Sequence, residues 1–142
     1  MKSAIDNKKL REVAGGFATG ISVVTLEKND GSIIGMTINS FVSISLEPAL
    51  IGFFINNKAN LYNFMKGETE ATVSILAQDQ KEISNQFAGL NKHEISIEYE
   101  SVGHFHKIKN ALGWYSIRIE KTISLGDHLM ICLLYTSDAA DE

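Results

Sequence analysis

The alternation of apolar and polar residues predicts a chain built mainly from short β-strands. Segments rich in β-branched and aromatic residues, typical of strands, cover residues 21–27, 32–36, 41–46, 50–55, 69–76 and 114–125, and a last strand includes Met130 and Ile131. The run Leu50–Ile55 is continuously apolar, which predicts a strand buried on both faces. In the segment 114–125, alternation predicts one inward face, formed by Tyr115, Ile117, Ile119 and Ile123.

Three short helices are predicted between these strands. The first follows Asp6 as N-cap and carries apolar residues at helical spacing, namely Leu10, Val13, Ala14 and Phe17. The second follows Asn57 as its cap and turns three apolar residues inward, namely Leu61, Phe64 and Met65. The third begins with Asp79 and Glu82 as a capping box and ends at Gly89.

The connections favour a β-barrel with peripheral helices over a parallel α/β sheet. Asn29-Asp30-Gly31 predicts a hairpin turn, because glycine accepts the positive φ that such turns need. Residues 91–110 are polar and predict a long loop or an irregular hairpin. Several strands follow one another with only turns between them, which is typical of antiparallel sheets. The predicted fold class is therefore mainly β, a barrel with peripheral helices.

Composition restricts the classes of function. The 142 residues suffice for one domain, and 44% hydrophobic with 21% charged residues is ordinary for a globular protein. The net charge of −4, with dispersed basic residues, argues against nucleic-acid binding. The single cysteine, Cys132, has no partner for an internal disulfide, and no apolar run approaches the ~20 residues of a membrane span. We therefore expect a cytoplasmic protein without membrane attachment.

The segment 35–50 carries short polar side chains within an apolar, β-rich stretch. They are Thr37, Asn39, Ser40, Ser43 and Ser45. If they are buried, they need hydrogen-bond partners, and one candidate partner is a planar, acceptor-rich ligand with a phosphate tail. The alternative is a serine-rich loop between two strands.

Several common catalytic sites are not predicted. Residues 15–20 do not form the dinucleotide-binding glycine pattern, no strand precedes them, and the chain has no P-loop or nucleophile elbow. His104 and His106, with His93 nearby, suggest a metal site, but no carboxylate or cysteine stands at ligand spacing in that loop. We therefore predict no metal, and the three histidines are interpreted as exposed loop residues.

In its motifs the chain resembles the flavin reductase-like family of FMN-binding split barrels. The motifs are Phe17–Thr25, Gly35–Leu50 and Gly126-Asp127-His128, and the resemblance covers roughly residues 5 to 131. It implies an FMN-binding split-barrel fold and an NAD(P)H:flavin oxidoreductase that reduces FMN or FAD with NADH or NADPH. It further implies a homodimer, with flavin near the subunit boundary, that supplies reduced flavin to an oxygenase.

The resemblance also implies the roles of individual residues. Thr37, Ile38, Asn39 and Ser40 would line the flavin ring and ribityl chain, and Gln86 and Phe87 would lie near the phosphate or adenine end. The phosphate would meet Asn56, Lys58 and Asn60, although relatives commonly carry Arg-Ser where this chain has Lys58-Ala59. The nicotinamide would be positioned at Gly126, Asp127 and His128, with Asp127 and His128 as the catalytic pair. A lysine in place of an arginine fork predicts looser phosphate binding.

Two points stay open at this stage. Residues 1–131 form the expected domain, whereas 132–142 are interpreted as an atypical tail, either foreign to a truncated domain or a genuine short terminus. The function has two alternatives to flavin reduction. One is an FMN-binding electron-transfer protein that does not oxidise NAD(P)H, and the other is a non-catalytic oligomerising barrel.

Overall fold

A computed structural model describes residues 6–135 of the chain. The helices are α1 (Asn7–Ala14), a 3₁₀ helix (Asn60–Phe64) and α2 (Lys81–Phe87). The strands are β1 (Ser22–Glu27), β2 (Ile33–Ile38), β3 (Val42–Leu46), β4 (Ala49–Asn56), β5 (Glu70–Ile75), β6 (Tyr99–Val102), β7 (Phe105–Ile108), β8 (Gly113–Leu125) and β9 (His128–Tyr135). The expectation of a mainly β fold with peripheral helices is confirmed.

Seven of the strands form one antiparallel sheet in the order β2-β1-β5-β8-β9-β4-β3. β2 and β3 lie at its two edges, yet the chain between them returns to the sheet, because the Ser40 hydroxyl accepts from Phe54 N–H in β4 at 3.0 Å. The sheet therefore curls without closing its hydrogen-bond ladder, which is the geometry of a split barrel.

The core lies inside this curled sheet. Its largest fully buried side chains come from β4, β8, β9 and the 3₁₀ helix, and are Phe53, Ile55, Leu61, Ile117, Ile131 and Leu133. Burying such a side chain stabilises the fold by about 1.5–3 kcal/mol. The buried side chain of Leu61 therefore holds the 3₁₀ helix against the sheet.

A separate hairpin, β6–β7, covers the outer surface of β1 and β5. Thr25 Oγ1 donates to the carbonyl of His106 at 3.0 Å, and Ser74 Oγ accepts from Ile108 N–H at 3.0 Å. Both hydroxyls are buried, and the backbone of β7 satisfies them. The predicted irregular hairpin within residues 91–110 is thus a regular two-stranded sheet.

The helices differ from their predictions mainly at their ends. Asp6 caps α1 as expected, accepting from Lys8 N–H at 3.0 Å, but α1 ends before Phe17. Asn57 does not cap the second helix; the Asn56 side chain instead accepts from Lys58 N–H at 2.8 Å. The predicted capping box of the third helix is also wrong, because α2 begins after Gln80 without a side-chain cap.

Two strands also differ from their predictions. The β4 side chain Phe54 is 36% exposed, so β4 is not buried on both faces. In β8 the pairing with β9 shifts by one residue between Ile119 and Lys121. This bulge resets the alternation, and Ile123 therefore lies on the exposed face at 37% exposure instead of in the core.

The last strand, β9, includes the first residues of the segment that was interpreted as a tail. Residues 132–135 belong to β9, whereas 136–142 lie outside the described residues, and the interpretation of 132–142 as an atypical tail stays a prediction. Among the described helices, none is both long and apolar enough to cross a membrane.

Candidate functional site

The first part of the site is the end of β2 and the connection to β3. The Ile38 side chain is 4% exposed and belongs to the core, so only its backbone faces outward. Asn39 is exposed, and Ser40 is held by its bridge to Phe54. Because β2 is an edge strand, backbone groups on its outer side have no strand partner in the described sheet. This segment therefore offers backbone and amide hydrogen bonds to a ligand.

The argument from buried polar residues in the segment 35–50 was wrong. None of its five short polar residues is buried in this chain, because β3 is an exposed edge strand. The buried hydroxyls belong to other strands, namely Ser22, Thr25, Thr72, Ser74 and Ser116.

The second part of the site is the end of β4 beside the β8–β9 turn. Asn56 pairs directly with His128 across the two strands, and Asn57 N–H donates to the Asp127 carbonyl at 2.9 Å. Gly126 has φ +61°, as expected at the first position of a tight two-residue hairpin turn. The sheet thus brings residues 56–58 and 126–128 together, although they are distant in sequence.

Asp127 and His128 form a close pair in this turn. Asp127 Oδ1 lies 2.7 Å from His128 Nδ1. The pKa of Asp127 is held below its ordinary value of 3.8. The largest cause is this hydrogen bond, followed by the charge of His128 and, more weakly, by the charge of Lys58. An ionised carboxylate only accepts hydrogen bonds, so Nδ1 carries the proton. Nε2 is then the ring nitrogen left for a substrate contact.

The two parts of the site are close to each other. Ser40 is bonded to Phe54, which precedes Asn56 by two residues on the same face of β4. Two residues of strand span about 7 Å, and neighbouring strands lie about 5 Å apart. Ser40 and His128 flank β4 on opposite sides and are therefore two strand spacings and about two residues apart, roughly 12 Å.

Lys58 and Asn60 extend this site beyond the end of β4. Both are exposed, and Asn60 is the first residue of the 3₁₀ helix. Lys58 is close enough to Asp127 to lower the pKa of its carboxyl. An anionic group at this place would meet one lysine and several amide groups.

Helix α2 places Gln86 and Phe87 beside β2 and away from the turn 126–128. Phe87 packs over Gly35, and Gln86 Oε1 accepts from Ile95 N–H at 3.2 Å. Thr37 does not present its hydroxyl freely, because Thr37 Oγ1 donates to the Ser84 carbonyl at 2.6 Å. The contact of Thr37 with α2 has no signal in the sequence.

The histidines of the H-x-H pair face different carboxylates. His104 Nε2 lies 3.2 Å from Glu70, and His106 Nε2 lies 3.4 Å from Glu27. Within residues 6–135, no group of three or more potential ligands stands at metal-binding distance.

An exposed apolar surface beside the site was missed by sequence reasoning. Its members lie on β3, β4 and β8 and are Val42, Ile44, Phe54, Ile123 and Leu125, each between 36% and 49% exposed. We call it the outer apolar face. Phe54 and Ile123 both pair with Met130, and Leu125 pairs with His128, so this face reaches the candidate site. The sequence did not indicate this face, because regular alternation in β8 assigned Ile123 to the core and the bulge could not be foreseen.

Comparison with known proteins gives the family. The sequence model described as "Flavin reductase like domain" matches residues 14–136. The chain belongs to this family. It is 31% identical to the reductase component of flavin-dependent trigonelline monooxygenase from Acinetobacter baylyi, over 87% of this chain and 41% of that protein.

Solved structures agree with the split-barrel fold. The flavin reductase PheA2 superposes with a TM-score of 0.88 at 35% identity, covering 94% of this chain and 86% of that one. The NADH:FAD oxidoreductase SgcE6 of Streptomyces globisporus, in complex with NAD and FAD fragments, gives 0.82 at 26% identity, covering 96% and 85%. The chain spans only 41%, 41% and 56% of the first three curated relatives that it matches.

Proposed function

We propose that this flavin reductase-like chain reduces FMN or FAD with NADH or NADPH and supplies the reduced flavin to an oxygenase. The observation that carries the proposal is the pairing of Asn56 with His128 beside the β2–β3 connection. This pairing supports the proposal, because it brings the amide groups at the end of β4 next to an imidazole. The names of the similar proteins, reductase components and an NADH:FAD oxidoreductase, support the same activity.

The described residues offer what a flavin needs for binding. The ring has carbonyl and imide groups, for which the edge of β2, the Asn39 amide and the backbone of Ser40 would supply donors and acceptors. The phosphate end would meet Lys58, Asn56 and Asn60, whereas Gln86 and Phe87, on α2 away from this turn, would approach the adenine end of a bound FAD. A single exposed lysine gives weaker phosphate binding than an arginine fork, which suits a flavin that is released after reduction.

The turn 126–128 would position the nicotinamide. Hydride passes directly from the nicotinamide to the flavin when both are bound, so no protein nucleophile is needed. Gly126 allows the tight turn, Asp127 orients the ring of His128 through Nδ1, and Nε2 contacts the nicotinamide or guides a proton. His128 is thus proposed to act by orientation and electrostatics.

We also propose a homodimer formed through the outer apolar face. Monomers rarely leave a large contiguous apolar surface open to water, and this one extends to His128. A second copy would bury it and would enclose the candidate site on one side. A cytoplasmic location is also proposed, from the single cysteine of the sequence.

Titration of the purified protein with FMN and FAD, combined with NADH and NADPH oxidation assays, tests the proposal. We expect flavin-dependent oxidation of at least one nicotinamide nucleotide. The reduced flavin should support the reaction of an oxygenase that is added to the assay. Tight FMN binding without NAD(P)H oxidation would instead favour an electron-transfer protein. A protein without a flavin difference spectrum would favour the non-catalytic barrel.

A further inference from the structure

Two contacts between β2 and α2 involve residues that lie on one face of each element. Thr37 Oγ1 donates to the Ser84 carbonyl at 2.6 Å. At Gly35, a Cβ atom would lie only 2.5 Å from Cε1 of Phe87, so the ring occupies the space of a side chain. Positions 35 and 37 share one face of the strand, and positions 84 and 87 share one face of the helix.

These contacts determine where α2 lies relative to the end of β2. Phe87 and Ile83 of α2 pack against a small buried cluster of Val23, Leu76 and Ile108, but apolar packing is non-directional and does not by itself define the position of the helix along the strand. The hydrogen bond of Thr37 fixes the position along the strand, and Gly35 permits the close approach. Gln86 lies between the two contact residues of the helix and so takes its place from them.

We propose that Thr37 and Gly35 are positioning residues for flavin binding, which act by holding α2 against β2 and not by touching the flavin. This inference rests on the proposed function. It reassigns the Thr37 hydroxyl, because a proton donated to Ser84 is not available to a ligand. If the hydrogen bond between Thr37 and Ser84 is removed, α2 is held less firmly before flavin binds. Flavin binding must then also cover the free-energy cost of ordering α2.

The test compares Thr37→Val with Thr37→Ser and with Thr25→Val. Thr25 is a matched control, since its hydroxyl also donates to a distant carbonyl, that of His106, but joins β7 instead of α2. Thr25→Val retains the methyl group that faces Gly35. We expect Thr37→Val to raise the flavin Kd roughly two- to tenfold, the range for one hydrogen bond. Thr37→Ser should restore binding, and Thr25→Val should leave the Kd unchanged while lowering Tm.

Hydrogen exchange provides a readout without flavin. In Thr37→Val the amides of α2 should exchange faster than in the wild type, whereas those of β5 should not. Gly35→Ala should have a similar effect, with Gly113→Ala as control, because a Cβ at Gly113 meets nothing within 4 Å. The glycine pair keeps the test informative if one threonine variant fails to fold.

The possible outcomes separate this inference from the proposed function. A wild-type protein that binds no flavin overturns both. Wild-type binding with an unchanged Kd in Thr37→Val overturns only the positioning role. Equal weakening in Thr25→Val, or unchanged exchange of α2 in Thr37→Val, would also overturn it.

Discussion

At the scale of single residues, the chemistry depends on how His128 is held. Its Nδ1 is engaged by Asp127, whose carboxylate is ionised well below neutral pH because its pKa is lowered. The interaction is therefore complete above the ordinary carboxyl pKa near 3.8 and is lost as pH falls through the lowered value. In the structure this contact leaves Nε2 of His128 available for a substrate.

We expect His128→Ala to slow flavin reduction while flavin binding stays nearly intact. Loss of one ordinary hydrogen bond to the nicotinamide corresponds to about 0.5–1.5 kcal/mol, or roughly two- to tenfold in rate. Steady-state kinetics with NADH, together with a flavin titration, measures both quantities. His104→Ala is the matched control, since His104 is also exposed and next to a carboxylate but lies on the β6–β7 turn. Collapse of flavin binding in His128→Ala would contradict the assigned role.

Asn39 is expected to contribute to flavin affinity directly. Its side chain is exposed and makes no hydrogen bond within the described residues, so it is free to bind the flavin ring. Asn39→Ala should weaken binding by about 1 kcal/mol, roughly fivefold in Kd. Fluorescence quenching of FMN measures this, with Asn29→Ala in the β1–β2 turn as control. An unchanged Kd would remove Asn39 from the site.

At the scale of elements, the β6–β7 hairpin is a cover attached to the main sheet. Its strand β7 is bonded through hydroxyls of β1 and β5, and Tyr99 of β6 packs with a buried cluster beneath it. Burial raises the pKa of the Tyr99 phenol above 10.0, since the charged form is poorly solvated there. The neutral phenol therefore stabilises the hairpin.

The hairpin should loosen at alkaline pH. The contribution of Tyr99 is complete below its ordinary pKa of 10.0 and is lost as pH rises through the higher value of the folded state. Denaturation midpoints measured from pH 8 to 11 should fall more steeply in the wild type than in Tyr99→Phe. Parallel curves for the two proteins would argue against a titrating Tyr99.

At the scale of the whole molecule, the outer apolar face is the proposed dimer interface. It spans β3, β4 and β8 and ends at the turn that carries His128. If two copies meet there, the turn 126–128 of each subunit lies at the interface. Assembly and activity are then coupled.

Ile123→Asp should convert the dimer to a monomer and reduce activity. A carboxylate at this position would be costly to bury opposite apolar side chains, and light scattering after gel filtration measures the mass. Leu112→Asp is the control, because Leu112 is 75% exposed and lies outside the outer apolar face. A wild-type monomer, or an Ile123→Asp dimer, would contradict the proposed interface.

Much of the fold could be predicted from local pattern, and much of the site could not. The hairpin turn predicted at residues 29–31 is present between β1 and β2, and Gly31 has the positive φ, +86°, that the prediction required. The alternation in β8 predicted Ile117 and Ile119 correctly and failed at Ile123, because a bulge is invisible to a period of two. Asn56 and His128 were both named from family resemblance, but their direct pairing appears only in the sheet.

By itself, the sequence determined the antiparallel β class, the turn at 29–31 and the family, because these depend on neighbours a few positions apart or on motifs kept in order. Only the tertiary structure decided that the Thr37 hydroxyl bonds α2, that none of the short polar residues of 35–50 is fully buried, and that the outer apolar face is left uncovered. The reason is distance along the chain: Thr37 and Ser84 are 47 residues apart. Contacts of that range follow from the packing of whole elements, which no local pattern of residues encodes.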